Sequence, residues 1–353
     1  MEAIEILTGF FIFCIILFFY LHIQFHLKVS NELEIYEIEQ ASKSKLEEIC
    51  DLRQPTLFDF DEEHYKIMNT INTTYLLSNY PVFEIKIKDN DSANINNTYV
   101  PLPLHVGDKL FKEDKNSTYY SEGNQDFLVE TGAVKNLSYN DEFLRPSLVS
   151  NCSYDFIFGS SGTELPFRYD LNYRNFYTVT QGVVKVKLSP PISSKYLLPI
   201  KDYEAFEFKS PINPWNPSEK YKADFEKVKC LEITLTPGKF LYIPAYWWYS
   251  FKLGDNSSCI ASLKYRTYMN NIAISNHVFL YALQNQNIDR KIAKTIDISK
   301  LPSNEVNKSK KVIQFNDNIN TYEEEKIESN LEVKESSNIE DLPTINTPTT
   351  IEL

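Results

Sequence analysis

The stretch Leu235 to Leu253, LTPGKFLYIPAYWWYSFKL, leaves this chain few folds to choose from. Pro237-Gly238 suits a tight turn, because proline presets φ and glycine tolerates positive φ. Phe240 to Ile243 reads as a short apolar strand. Pro244 has no N–H to donate, so it marks a strand end or a bulge. Tyr246 to Leu253 then reads as a second, aromatic-led strand. A bulge beside a buried aromatic pair re-aims one side chain into the interior, and here that side chain is Tyr249.

A second stretch, Phe167 to Pro191 (FRYDLNYRNFYTVTQGVVKVKLSPP), has the same character. Phe176 to Thr180 and Val183 to Leu188 are β-rich runs separated by Gln181-Gly182, which reads as a hairpin. Val184, Val186 and Leu188 share one strand face and Lys185 and Lys187 the other, so the inner face is apolar. Leu231 to Leu235 and Ser258 to Tyr265 supply further strands. Hairpin-joined strands at this spacing predict a mainly β protein, a small barrel or double-sheet roll. Around it the sequence predicts a strand in Glu34 to Glu39 and a helix over Ser42 to Cys50, opened by Ser44 ahead of Glu47 and Glu48. An extended run over Arg53 to Phe58, a strand at Val82 to Ile87 and helices near Asp108 and Asn124 follow. Asp155 to Gly159 reads as a short apolar strand. Asn276 to Leu283 reads as an apolar helix packing outside the barrel or against a second copy, so Val278 to Leu283 is a candidate homodimer face.

Ile6 to Leu27 carries no Asp, Glu, Lys or Arg, and a run of that length can span the ~30 Å hydrocarbon layer as a helix. Its flanks, Glu2 and Glu5 before it and Tyr20-Leu21-His22 within it, do not resemble a cleavable signal. It reads as a single-pass membrane anchor. Beyond Ser299 the composition shifts to Asn, Ser, Thr and Glu, which predicts a disordered tail. The chain thus divides into an anchor (1–30), a β domain (31–290) and a low-complexity tail (291–353). A formal net charge of −12 disfavours a nucleic-acid partner. With only 9 glycines among 353 residues, and no GxGxxG or GxxxxGK[ST], nothing points to a dinucleotide or phosphate loop. The five cysteines show no CxxC spacing and read as free thiols.

PGKFLYIPAYWWYS, together with RQPTLF and NPWNPSEKYKADFEKVKC, resembles the JmjC/cupin-8 branch of the double-stranded β-helix proteins, the family of Fe(II)- and 2-oxoglutarate-dependent hydroxylases. The pattern is also similar to membrane-anchored cupin-like proteins of large DNA viruses. The resemblance implies a double-stranded β-helix (cupin/jelly-roll) core with flanking helices. Active members hold iron with two histidines and one carboxylate. The matching positions here are Arg168, Asp170 and Tyr249, and Val184 stands where a lysine would pair the co-substrate. Arg168 has no lone pair to offer a metal. The resemblance therefore implies a pseudoenzyme with a degenerate metal site and neither metal nor cofactor. Residues i and i+2 of a strand point the same way, so the expectation is that Arg168 pairs with Asp170, with Tyr249 in hydrogen-bonding reach. Two alternatives stay open. One is a hydroxylase that uses Asp170 and a displaced histidine (His64, His105 or His277) with Fe(II) and 2-oxoglutarate. The other is a small-anion or glycan-binding module using Arg168, Arg174 and Lys264, with Trp247 beside them.

Overall fold

A computed structural model describes residues 2–39, 42–59, 70–90, 99–139, 141–203, 205–254 and 257–285. The predicted tail at 291–353 and His64 lie outside the described residues. The strands are β1 (Tyr36–Ile38), β2 (Thr56–Asp59), β3 (Glu84–Asp89), β4 (Tyr99–Pro103), β5 (Tyr119–Ser121), β6 (Val149–Gly159), β7 (Arg168–Tyr169) and β8 (Arg174–Gln181). They continue with β9 (Val184–Ser189), β10 (Ile200–Asp202), β11 (Glu207–Lys209), β12 (Leu231–Leu235), β13 (Lys239–Ile243), β14 (Trp248–Leu253) and β15 (Cys259–Thr267).

Two sheets hold them. One runs β1-β2-β13-β8-β15-β6-β5-β3-β4 and the other β10-β11-β7-β14-β9-β12. From β6 to β9, and again from β12 to β15, the chain mostly changes sheet at each turn. The predicted hairpin at Gln181-Gly182 is therefore a corner: β8 pairs with β13 and β15, whereas β9 pairs with β12 and β14. Gly182 takes φ +77° there, a conformation that glycine adopts without steric cost. The double-sheet roll was legible; which strands face each other was not, because a Gln-Gly turn serves a corner as well as a hairpin.

The core lies between the sheets, with Val184, Val186, Leu188, Leu241, Ile243, Phe251 and Ile260 all buried in one cluster. Each such side chain contributes about 1.5–3 kcal/mol on leaving water. Period-two alternation sends Trp247, Tyr249, Phe251 and Leu253 into this cluster and turns Trp248 to a second one with Phe167, Tyr169 and Phe208. The step between β13 and β14 is the predicted proline break. Tyr246 adopts φ +66° in it, a left-handed conformation costing about 1–3 kcal/mol that the surroundings must hold in place. The Tyr246 N–H does so by donating to the Asp170 carbonyl at 2.8 Å.

Of the peripheral expectations, the helix at Lys43–Cys50 is present, but its cap is Ser42, which accepts from the Lys45 N–H, two residues before Ser44. Helices Leu104–Glu113 and Gln125–Glu130 lie where they were expected. The N-terminal helix spans Glu2–Leu27, and Ala3–Leu27 is long and apolar enough to cross a membrane. Its last turns rest on the domain: His26 is buried and stacks on Tyr173 at 5.0 Å, and Arg53 lies over Phe25. Val29, Leu33 and Ile35 pack on the central core, so packing does not respect a boundary at residue 30. All five cysteines are free thiols.

Candidate functional site

Three of the predicted residues converge. Arg168 on β7 and Tyr249 on β14 are direct cross-strand neighbours, and the Tyr249 hydroxyl donates to Asp170 Oδ2 at 2.7 Å. Tyr177, on β8 in the opposite sheet, closes a triangle of oxygens, 2.8 Å from the Tyr249 hydroxyl and 3.0 Å from Asp170 Oδ2. Two phenolic protons serve three oxygens: Tyr249 gives its proton to the carboxylate, and Tyr177 shares its own between Tyr249 and Asp170.

The expected Arg168–Asp170 pair does not form. Arg168 is held end-on by Glu122, with Nη1 and Nη2 each 2.6 Å from a different carboxylate oxygen. Asp170 is held by Lys264, whose Nζ lies 3.1 Å from both its oxygens. Nη1 donates to Glu122 while Nη2 is in ion-pair contact without a hydrogen bond, and Glu122 is open to Arg168 where the Asp170 oxygens are already committed to two phenols and an ammonium. Glu122 reaches this place because β5 crosses β6 tightly. A Cβ on Gly159 would meet the Tyr119 carbonyl oxygen at 2.7 Å, so only glycine admits the strand that precedes Glu122. Asp155 then clamps the following turn, accepting from the Gly123 and Asn124 N–H groups at 2.8 and 2.7 Å.

The remaining predicted residues lie elsewhere. Val184 pairs with Leu235 and Leu253, four strand positions from the Leu188 that faces Tyr249, and is core. Trp247 is fully buried among apolar side chains. Arg174 is buried beside Asp51 and Tyr173, near the N-terminal helix. The proposed anion site of Arg168, Arg174 and Lys264 is therefore not one site, and each of the three cations faces its own carboxylate. His105 donates to the Pro81 carbonyl, and His277 lies 3.1 Å from the Tyr203 hydroxyl; neither bonds to Asp170.

Residues 104–274 match the family of cupin-like domains. The two-sheet roll built there has the cupin fold. Over 92 residues the chain is 34% identical to proteins called HSPB1-associated protein 1 from rat, mouse and human. That stretch is 26% of this chain and 19% of each relative's length.

Around Arg168, Asp170 and Tyr249 the buried charges are paired. Lys88, 3.8 Å from Glu122 and 3.4 Å from Glu207, and Lys209, 2.5 Å from Glu207, extend the network. Lys88, Arg168, Lys209 and Lys264 thus pair with Glu122, Asp170 and Glu207, while Arg266 also feels Asp170 and Asp155 lies beside Glu122. Burial works to raise Glu122, but Arg168 and then Lys88 outweigh it and hold its carboxyl below the usual range. Burial likewise opposes Asp170, and Lys264, the Tyr249 hydrogen bond and Arg168 together bring it below the ordinary value. Asp155 goes the other way: burial, then Glu122, push it up to about 6. Burial first, then Asp170, push Tyr249 up to about 12, so it stays a neutral phenol.

These residues do not fit divalent iron. One carboxylate and a neutral phenol replace the donor set that Fe(II) takes from two histidines and a carboxylate. The guanidinium beside them would repel a divalent ion ~4 Å away by several kcal/mol even at an effective dielectric near 20. Sequence reasoning missed Glu122, Tyr177, Lys88, Glu207 and Lys209. Tyr177 was within reach, since it alternates with Phe176 on a strand already assigned to the core. Glu122 follows a three-residue strand with no readable period, and its one signal was that a buried Arg168 needs a carboxylate.

Proposed function

We propose that this chain is a single-pass, membrane-anchored cupin-like protein, of the kind found in large DNA viruses, whose domain is catalytically inactive and serves a structural or ligand-binding role. The Glu122–Arg168 pair carries this reading, because a fixed cation and its own carboxylate fill the position that a metal ligand would need. Neither Fe(II) nor 2-oxoglutarate has a role in it. Incubated with Fe(II), 2-oxoglutarate and O₂, the protein releases no succinate above the protein-free background; coupled or uncoupled succinate release would restore the hydroxylase alternative. A homodimer through the helix Ser275–Gln284 belongs to the same reading, since Phe279, Leu280 and Leu283 are exposed on it.

The anchor has its own test. Deleting residues 1–20 turns a carbonate-resistant membrane protein into a soluble one of unchanged stability, because that segment is exposed and apolar. Deleting 1–30 also solubilises it but costs about 1–3 kcal/mol, since Phe25, His26 and Val29 leave their contacts. Urea midpoints of the two truncations measure the difference; equal midpoints would show that the last turns of the helix are not docked.

A further inference from the structure

Where the N-terminal helix meets the domain there is a pocket of about 570 Å³. Its walls include Phe25 and His26 of the helix, Glu47 and Asp51 from the first domain helix, and Tyr173 and Arg174 at the start of β8. We propose that this pocket seats the headgroup of a zwitterionic phospholipid, with the phosphodiester against Arg174 and the ammonium against Glu47 and Asp51. The inference rests on the membrane-anchor reading for its position and on the pocket's own chemistry for its ligand.

Position comes first. If the charge-free run crosses the bilayer from Ile6, about 18–20 residues rise about 27–30 Å, close to the hydrocarbon thickness. The span then ends at Ile23 to Phe25, and His22, Phe25 and His26 at that boundary form one wall of the pocket. The apolar lipid-facing surface of the helix runs directly into that wall, so a headgroup in the pocket leaves its acyl chains beside the helix.

Chemistry selects the headgroup. Arg174 is 97% buried (3% exposed), and its Nε has no hydrogen-bond partner. Its nearest carboxylate contact, Asp51, is 3.6 Å away, too long for a hydrogen bond. The Arg174 Nε thus lacks an acceptor although Nη2 is ion-paired with Asp51, and a phosphodiester oxygen supplies one. Asp51 accepts from the Tyr173 hydroxyl at 3.1 Å and is partly exposed, as is Glu47. Arg53 adjoins the pocket between the Phe25 and Tyr173 rings, at 5.0 and 4.4 Å. The two guanidiniums and the two carboxylates cancel. An anionic lipid would leave Glu47 and Asp51 facing a like charge, and a purely cationic ligand would do the same to Arg174. A headgroup carrying both signs satisfies both.

The test uses the full chain in maltoside detergent, offered equal amounts of phosphatidylethanolamine and phosphatidylglycerol with identical acyl chains. Native mass spectrometry counts what is retained. The wild type keeps one phosphatidylethanolamine at about tenfold or greater preference, the scale of one charge-assisted hydrogen bond. Arg174→Gln loses that retention. Glu47→Gln with Asp51→Asn, on a partly exposed helix surface, reverses the preference toward phosphatidylglycerol, which keeps the test intact should the arginine variant fail to fold. Equal retention of both lipids by the wild type, or an unchanged preference in the Glu47/Asp51 variant, overturns the proposal. Free glycerophosphoethanolamine that displaces the lipid at matching concentration also overturns it, by identifying a soluble ligand. Carbonate extraction reads the anchor separately: a protein that is extracted yet retains phosphatidylethanolamine sinks the membrane span and leaves the pocket standing.

Discussion

Glu122→Ala lowers the unfolding free energy of the domain by about 3–5 kcal/mol, the cost of leaving one partner of a buried ion pair uncompensated. The side chains of Arg168 and Glu122 are only 7% and 9% exposed, so water does not take over the guanidinium when the carboxylate goes. Arg168 cannot shed its charge, because a guanidinium stays protonated in proteins even without a counter-charge. Removing Glu122 also leaves Lys88 and Arg168 as two cations with Glu207 as their nearest shared counter-charge. The effect depends on pH with a definite sign. Glu122 titrates lower in the folded state than its ordinary 4.5, so its contribution is present above that value and fades as pH falls through the folded value. Urea midpoints for wild type and variant therefore converge in acid. A loss below about 1 kcal/mol at pH 7, the range of an exposed pair, would mean that solvent reaches Arg168.

Asp170→Ala has the second largest effect, about 2–4 kcal/mol, because one ammonium and two phenols lose their acceptor together. It stays below the Glu122 effect for two reasons. The Lys264 side chain is 22% exposed, and lysine, unlike arginine, can give up its proton when its counter-charge is removed. The pair also permits a decisive second variant. Adding Lys264→Met to Asp170→Ala replaces the stranded cation with an apolar stem of similar length and recovers most of the loss. Failure to recover would place the cost in the Tyr177–Tyr249 hydroxyls rather than in the ion pair.

Much of this site was legible in the sequence. The resemblance to the cupin-8 branch singled out Arg168, Asp170 and Tyr249 as one site; local pattern added only that Arg168 and Asp170, at i and i+2, share a direction and that the Pro244 break aims Tyr249 inward. The pairing was not legible. Arg168 finds Glu122 and Asp170 finds Lys264, and both partners arrive from segments 46 and 94 residues away. Their arrival depends on contacts with no sequence period, such as the glycine crossing at Gly159 and the carboxylate clamp of Asp155. Val184 shows the complementary error. Its alternation correctly gave it an inward side chain, but register along β9 sets it against Leu253 rather than against Tyr249. Strand faces are a local property with period two, whereas register and sheet membership belong to the whole topology. The same gap separates the Gln181-Gly182 corner from the hairpin it resembles.

The proposed inactivity rests on ion pairs and phenols that leave divalent iron no donor set. The most direct measurement is metal stoichiometry on purified full-length protein, by titration with Fe(II) under anaerobic conditions followed by elemental analysis after desalting. The arrangement of Glu122, Arg168, Asp170, Lys264 and Tyr249 predicts no retained iron at any protein concentration, and no change when Lys264→Met alone frees one side of Asp170, because Arg168 still occupies the position beside it. One equivalent of iron retained through desalting, and lost in Asp170→Asn, would contradict the account.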